Sequence, residues 1–299
     1  MKVLVTTWDK FKVRYAKILK KLAIFCLAFW IGIGLFRIST ELLFEEIPIF
    51  GFHDIVDLNN PKEQPPNRPE FSSDYTKADF EIFLTQLVRK NYWFLTSQDL
   101  YDYFLSDTPK SLSPEQRKRK KVAIAIDDGY QSANDNILPI LEKLDRTYDT
   151  PIKIVWFVNP AFMGIPGTYL DHASCEDFRI GLEKGYYDIQ SHTSNHEDLT
   201  QLDAEGLTKE LLGSQQLLRE CTKGLDPKGQ VANHISYPFG KVNKFVLKEV
   251  KKYYRSGYLY NGKTFRLDWF RNRYFIPRMT VSRSHTVKQL LKMASGGWL

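Results

Sequence analysis

The sequence predicts an α/β fold in which helices cover a mostly parallel β-sheet. Apolar, β-branched runs without a polar interruption, such as residues 122–126, are typical of strands buried on both faces. Segments with apolar residues at helical spacing, such as residues 76–90, alternate with these strands about seven times. Polar residues stand directly after several strands, where the carboxyl ends of parallel strands meet. The periodicity fits an open sheet and a closed barrel equally well.

The elements are expected to follow one another as short strands and longer amphipathic helices. Strands are predicted at residues 47–52, 92–95, 122–126, 151–158, 187–191, 234–237, 256–260 and 276–281. Helices are predicted at residues 76–90, from residue 97, and at residues 136–144, 172–184, 202–223, 242–252 and 286–293. Segment 59–73, rich in Pro and Asn, is predicted to be a loop.

Positive charge is concentrated at the N-terminus. The formal net charge is +7, and residues 1–21 carry seven Lys or Arg against one Asp, which gives +6 for this tail and about +1 for the remainder. A near-neutral body with a basic tail is not expected to bind nucleic acid. No protein partner can be inferred.

A run of fifteen apolar residues, 22–36, follows this tail and is closed by Arg37. Basic residues before such a run keep that end in the cytoplasm. We therefore expect a cytoplasmic tail at 1–21, a signal anchor or transmembrane helix at 22–40, and an extracytoplasmic domain at 45–299. A cleaved signal peptide is the alternative.

The cysteine residues give no disulfide framework. Cys26, Cys175 and Cys221 are odd in number, and one of them lies in the apolar N-terminal run. At most one bridge is available to the domain. Unpaired, partly buried thiols are expected.

Two adjacent carboxylates, Asp127 and Asp128, end the most apolar strand and are followed by Gly129. Carboxylates in such a place are costly unless they are paired or bind a cation. Because neighbouring residues of a strand point to opposite sides, the two are expected to differ in role. One can bind a cation while the other faces a substrate. Capping of a following helix is the alternative.

Two histidines, His192 and His196, follow the strand at residues 187–191. A spacing of four places both imidazoles on one face of a helical turn. Together with a carboxylate from the Asp pair they make a three-ligand set, which suits Zn²⁺ with an open position for water.

Three segments in this order resemble the motifs of the polysaccharide deacetylases, the NodB-homology or carbohydrate esterase family 4 group. They are AIDDG at 125–129, SHTSNH at 191–196 and SYPFG at 236–240. The similarity extends over roughly residues 47–281, and the motif-bearing core is residues 120–299. The resemblance implies a distorted (β/α)7 barrel of NodB-homology type. The opening apolar strand with Phe52, His53 and Asp54 is similar to the poly-β-1,6-N-acetylglucosamine N-deacetylases.

The resemblance also implies roles for individual residues. Asp128, His192 and His196 are expected to hold a divalent metal, with zinc favoured, and Asp127 is expected to be the general base. The backbone N–H of Phe239 is expected to stabilise the oxyanion.

The substrate is expected to contact Pro238, and His53 and Asp54 are expected at the rim of the site. A strand-end histidine that caps a loop is the alternative for His53.

The chain departs from the family pattern at two places. Ser236 stands where the third motif has an arginine that orients the catalytic aspartate, and Arg278 is our candidate to replace it, with a surface arginine as the alternative. The histidine that normally acts as general acid has no clean match, and His285 is the nearest candidate.

These observations predict a metal-dependent hydrolase that removes N-acetyl groups from an exported polysaccharide containing N-acetylglucosamine, with a β-1,6-linked polymer favoured. Peptidoglycan or chitin oligomers are the second choice of substrate. A non-catalytic, membrane-anchored glycan-binding protein on a degenerate barrel is the alternative from another class. A glycosidase is excluded, because adjacent residues of one strand cannot face each other across ~5–9.5 Å. The paired histidines also argue against the ligand pattern of non-haem iron oxygenases.

Overall fold

The computed structural model describes the backbone of residues 2–296 and the side chains of residues 8, 12, 14–34 and 44–296. Contacts divide the chain into an N-terminal unit and a domain that begins at Glu46. Helix α1 is continuous over Lys2–Leu43, so the predicted tail and apolar run form one helix. Side chains 35–40 of the predicted anchor lie outside the described residues. Of the helices that the structure describes, none is both long and apolar enough to cross a membrane, so the predicted membrane helix is without support from the structure.

The domain consists of short strands and mostly longer helices. The strands are β1 Glu46–Ile47, β2 Ile49–Phe52, β3 Asp54–Val56, β4 Asp74–Thr76, β5 Trp93–Phe94, β6 Lys121–Asp128, β7 Ile154–Val158, β8 Tyr187–Ser191, β9 His234–Ser236, β10 Ser256–Tyr258, β11 Phe265–Arg266 and β12 Met279–Thr280. The helices are α2 Lys77–Arg89, α3 Ser97–Leu100, α4 Pro114–Lys118, α5 Gln131–Tyr148, α6 Cys175–Glu183, α7 Ala204–Cys221, α8 Lys244–Tyr253 and α9 Val287–Ala294.

The central sheet has the strand order β10-β9-β8-β7-β6-β2-β12, and all of these neighbours pair in parallel. Tyr258 of β10 also forms a parallel bridge with Ile276, just before β12, which itself pairs with β2. The chain segment before and in β12 therefore contacts both ends of the sheet. The sheet is a curled, parallel half-barrel, which confirms the predicted α/β class and matches the barrel of the NodB type.

Alternate residues of β6 serve two different hydrophobic cores. Val122, Ile124 and Ile126 pack in the cluster that includes residues of α2 and α5, outside the sheet. Ala123 and Ala125 pack in the cluster inside the curled sheet. Successive side chains of a strand point to opposite faces, so the sequence of β6 determines which residues face the interior. Small alanines leave room there for large rings from neighbouring strands.

A disulfide joins Cys175, the first residue of α6, to Cys221, the last residue of α7, with 5.7 Å between their Cα atoms. The expectation of unpaired thiols is therefore wrong for this pair. The two residues are 46 positions apart, and only the packing of α6 beside α7 brings them together. Sequence spacing carries no information on that packing.

Candidate active site

Asp127 and Asp128 end β6 in different environments. Asp127 continues the inner row of Ala123 and Ala125, and its side chain is 2% exposed. Asp128 has a φ of 68°, and Gly129 follows with a φ of 82°. Left-handed backbone is unfavourable for a residue other than glycine, and such conformations cluster at functional sites. The two carboxylates thus differ as the alternation of the strand predicts: one is enclosed and the other lies at the edge.

Asp128, His192 and His196 form a cluster that could hold a metal ion. Each offers one ligand atom, and these atoms lie within 4.8 Å of one another. The Nε2 atoms of the two histidines each lie 3.6 Å from Oδ1 of Asp128. Donors placed about 2 Å from a tetrahedral Zn²⁺ are roughly 3.4 Å apart. Two imidazoles and one carboxylate in this geometry fit such an ion, so the structure brings the predicted ligands together.

His192 is oriented by a contact on its far side. Its Nδ1 lies 2.9 Å from the backbone carbonyl of Ser236, to which it can donate. That contact fixes the tautomer and leaves the Nε2 lone pair directed at the acids, as is usual for metal-binding histidines. Burial lowers the pKa of His192, although the charges of Asp127 and Asp128 oppose the shift. The imidazole is therefore kept neutral, which is the form that binds metals.

Arg278 is fully buried and forms a paired contact with Asp127. Nη1 donates to Oδ1 at 2.6 Å and Nη2 to Oδ2 at 2.7 Å. Nη2 also donates to Oγ of Ser236 at 2.6 Å, and Nε donates to the carbonyl of Leu259 at 2.9 Å. A surface position for Arg278 is thus wrong. The guanidinium contacts Asp127, as the sequence predicts, and Ser236 is an additional acceptor.

The ionisation of Asp127 is decided by two opposed effects. Burial raises the pKa of this carboxyl, and the charge and hydrogen bonds of Arg278 lower it further than burial raises it. The net pKa lies below the ordinary range of an aspartate. Asp127 is therefore an anion at neutral pH, the form required of a base.

His53 and Tyr260 form one wall of the site. Their rings meet edge to face with 5.0 Å between centroids, and Oη of Tyr260 lies 3.5 Å from Nδ1 of His53. The ring of Tyr260 lies 5.5 Å from the guanidinium carbon of Arg278. His53 therefore lies beside the catalytic candidates.

The segment after β9 forms another wall. Pro238 is buried, whereas Phe239 is 60% exposed and has a φ of 57°. The ring of Phe239 meets that of His196 at 4.7 Å between centroids, and Nζ of Lys241 lies 5.6 Å from the Phe239 ring centroid. Phe239 is thus placed directly beside a metal-ligand candidate.

Asp54 has a different environment from the one expected of a substrate contact. It is 1% exposed, Nη2 of Arg68 donates to it at 2.9 Å, and Oγ of Ser132 lies 2.7 Å from both of its oxygens. Burial raises the pKa of Asp54 to about 6, although Ser132 and Arg68 oppose the shift. With both oxygens engaged, the carboxylate holds the segment around Arg68 rather than facing solvent.

His285 lies in the turn before α9. Its Nδ1 accepts from the backbone N–H of Ser282 at 3.1 Å and lies 2.9 Å from Oγ of Ser282. Within the described part of the chain, no hydrogen bond or ion pair joins it to Asp127. Its role as general acid stays a prediction.

Three residues that support the site were missed at the level of sequence. Asn159 donates from Nδ2 to the carbonyls of His192 and Thr193. It stands directly after β7, and the rule that functional residues follow strands would have found it. Tyr260, which contacts His53, and Glu210, which binds Asn195, do not follow a strand in this way, and no sequence pattern identifies them.

The curled parallel sheet thus places an ion-paired aspartate and an Asp–His–His cluster at its carboxyl edge, where they could act on a substrate together. Residues 115–256 match the family model described as polysaccharide deacetylase. This match covers just under half of the chain, so the chain is similar to the polysaccharide deacetylases over that segment. The protein is a hydrolase that acts on carbon–nitrogen bonds other than peptide bonds. A search of the curated proteins finds no match.

Several solved structures are similar to this chain. A polysaccharide deacetylase from Bacillus cereus has a TM-score of 0.67 at 21% identity, over 84% of this chain and 69% of that one. The deacetylase PplD from Streptococcus pyogenes, in complex with acetate, has a TM-score of 0.65 at 20% identity, over 83% and 97%. IcaB from Ammonifex degensii has a TM-score of 0.61 at 17% identity, over 84% and 97%. At these identities the likeness shows the fold.

Proposed function

We propose that this protein is a metal-dependent N-deacetylase of an exported polysaccharide that contains N-acetylglucosamine. The observation that carries the proposal is the bidentate contact of Arg278 with Asp127, because it keeps a buried carboxylate ionised beside a three-donor cluster. A base next to a site for a divalent cation is an arrangement that can hydrolyse an amide, because the cation activates water and the base accepts its proton.

Asp128, His192 and His196 would hold the cation, for which the donor set favours Zn²⁺. When bound, such an ion lowers the pKa of water from ~15.7 toward ~7 and polarises a carbonyl oxygen. Asp127 accepts the proton of the water that attacks the acetamide carbon, and this proton passes to the amine nitrogen as the C–N bond breaks and acetate is released. Arg278 holds the carboxylate of Asp127 in place. The backbone N–H of Phe239 donates to the carbonyl oxygen as charge develops there, a contact worth roughly 3–4 kcal/mol.

A β-1,6-linked polymer is the favoured substrate. His53 supports this choice, since the opening strand that leads to this residue belongs to the sequence resemblance with that branch. The exposed ring of Phe239 offers an apolar surface for a sugar ring next to His196. Oligomers of peptidoglycan or chitin type are the second choice.

We also propose that the domain lies on the extracytoplasmic side of a membrane and that residues 22–40 attach it to that membrane. The disulfide between Cys175 and Cys221 supports the location, because disulfides persist mainly in oxidising compartments. The basic tail and the apolar run support the attachment. Fractionation of cells with and without carbonate extraction checks both. A protein found only in the cytosolic fraction with reduced Cys175 would contradict them.

The activity is tested by incubating the full chain and zinc with acetylated β-1,6 and β-1,4 oligomers of glucosamine and measuring released acetate. We expect release from the β-1,6 series, loss of release in Asp127→Asn, and retention in Asp107→Asn, whose carboxylate is exposed. No release from either series, or equal activity of Asp127→Asn and the unchanged chain, would sink the proposal. Release from the β-1,4 series alone would overturn the choice of linkage.

A further inference from the structure

The turn that connects His192 to His196 has an unfavourable backbone. Thr193 has a φ of 68° and His196 a φ of 57°. Both residues carry a Cβ, and that of threonine is branched, so the left-handed region is unfavourable, most of all for Thr193. Such a conformation persists only when surrounding contacts determine it. The positions of both metal-ligand candidates therefore depend on what holds this turn.

The carbonyl groups of the turn are held from one side. Nδ2 of Asn159, directly after β7, donates to the carbonyl oxygens of His192 and Thr193. Further back, Oγ of Ser191 lies 2.8 Å from Oγ of Ser214 on α7. These contacts fix the start of the turn but leave its second half, residues 194–196, to other groups.

Glu210 on α7 holds that second half. Its Oε2 accepts from the backbone N–H of Asn195 at 2.8 Å, and its Oε1 accepts from Nδ2 of Asn195 at 2.7 Å. Its own backbone carbonyl accepts from the N–H of Ser194 at 3.1 Å. The backbone N–H groups of Ser194 and Asn195 therefore both donate to Glu210 of α7.

Glu210 lies in a buried environment, which is unusual for a carboxylate. The residue is 4% exposed, and the ion pairs observed among the described residues do not include it. A buried carboxylate is costly unless hydrogen bonds replace its hydration. Donors from Asn195 provide that replacement, so the position of the carboxylate and the shape of the turn depend on each other.

We propose that Glu210 is a positioning residue that fixes the turn between His192 and His196 and thereby sets the affinity of the site for its divalent cation. The inference rests on the proposed metal site. Partners that orient metal ligands typically change metal affinity by about 10–100-fold when they are removed. Glu210 acts here on the backbone that carries His196 rather than on the imidazole itself.

The test is the dissociation constant of Zn²⁺, measured on the full chain by competition with a zinc-binding dye. We expect Glu210→Ala to weaken zinc binding by about 10–100-fold, and Glu210→Gln, which keeps one acceptor oxygen, to weaken it by less. The matched control is Glu205→Ala, because Glu205 lies on the same helix but is exposed and pairs with Lys209.

Zinc affinity within about twofold of the unchanged chain in Glu210→Ala overturns the inference, even if that variant melts at a lower temperature. Should Glu210→Ala fail to fold, the near-isosteric Glu210→Gln decides in the same way. An unchanged chain that binds no zinc contradicts the metal site itself, and the acetate assay tests the deacetylase activity separately. The three failures are therefore distinguishable.

Discussion

The guanidinium of Arg278 and the carboxylate of Asp127 form two parallel hydrogen bonds, although the residues are 151 positions apart in the chain. The fork of an arginine matches the two oxygens of a carboxylate, which a lysine cannot reproduce. This pair fixes the direction of the Asp127 side chain as well as its charge. Loss of this pair is therefore expected to change the activity.

We predict that Arg278→Gln moves the acidic limb of the pH profile of kcat/KM to higher pH by about 1–3 units. The native pKa of Asp127 is depressed, so the carboxylate is the anion over most of the pH range; without Arg278, burial raises that pKa and the anion forms only at higher pH. Arg278→Lys should shift the limb less. Arg273→Gln, whose partner Asp107 is exposed, is the control. An unshifted acidic limb in Arg278→Gln would be the contrary result.

We predict that chelation removes activity and that added zinc restores it. The ligand set of two imidazoles and one carboxylate provides the binding energy, so His192→Ala and Asp128→Ala should lose bound zinc and not be rescued at ordinary zinc concentrations. Metal content per chain, measured by mass spectrometry of the dialysed protein, checks this. One zinc ion per chain in either variant would contradict the prediction, because the metal would then bind to other residues.

We predict that replacing both Cys175 and Cys221 by alanine lowers the free energy of unfolding by about 4 kcal/mol, because a loop of this length gains that much conformational freedom in the unfolded chain. Urea unfolding of the full chain measures the difference. Cys26→Ala, which changes an exposed free thiol, is the control and should leave the stability unchanged. Equal stability of the double variant and the control would show that the packing of α6 on α7 alone holds these helices.

We predict that His234 makes the domain less stable in mild acid. Burial, aided by the charge of Arg255, lowers the pKa of His234 to about 3, whereas the unfolded chain has a value near 6.5. Between these values the unfolded chain binds the extra proton, so stability falls as pH falls, by up to about 1.4 kcal/mol per pH unit.

His234→Gln removes this titration while it can still bond to Ser256, the partner of Nδ1. The difference in unfolding free energy between the two proteins should therefore change between pH 7 and pH 5 in favour of the variant. Parallel stability curves over that range would show that His234 titrates normally in the folded domain.

The class of the fold and the central residues of the site followed from the sequence. Alternation along β6 separates Ala125 from Ile126 and Asp127 from Asp128, and this local periodicity reports which face of the sheet each residue occupies. His192 and His196 were recognisable because their spacing and their place after a strand are local properties too.

The tertiary structure decided which of these residues meet. Arg278 reaches Asp127 because the curled sheet brings the segment before β12 back beside β2 and β6, and Cys175 meets Cys221 because α6 packs beside α7. It also moved Asp54 from the expected substrate surface into an ion pair with Arg68. A sequence pattern gives the direction of a side chain relative to its own strand or helix. Its partner depends on the order and curvature of the elements, which no single segment contains.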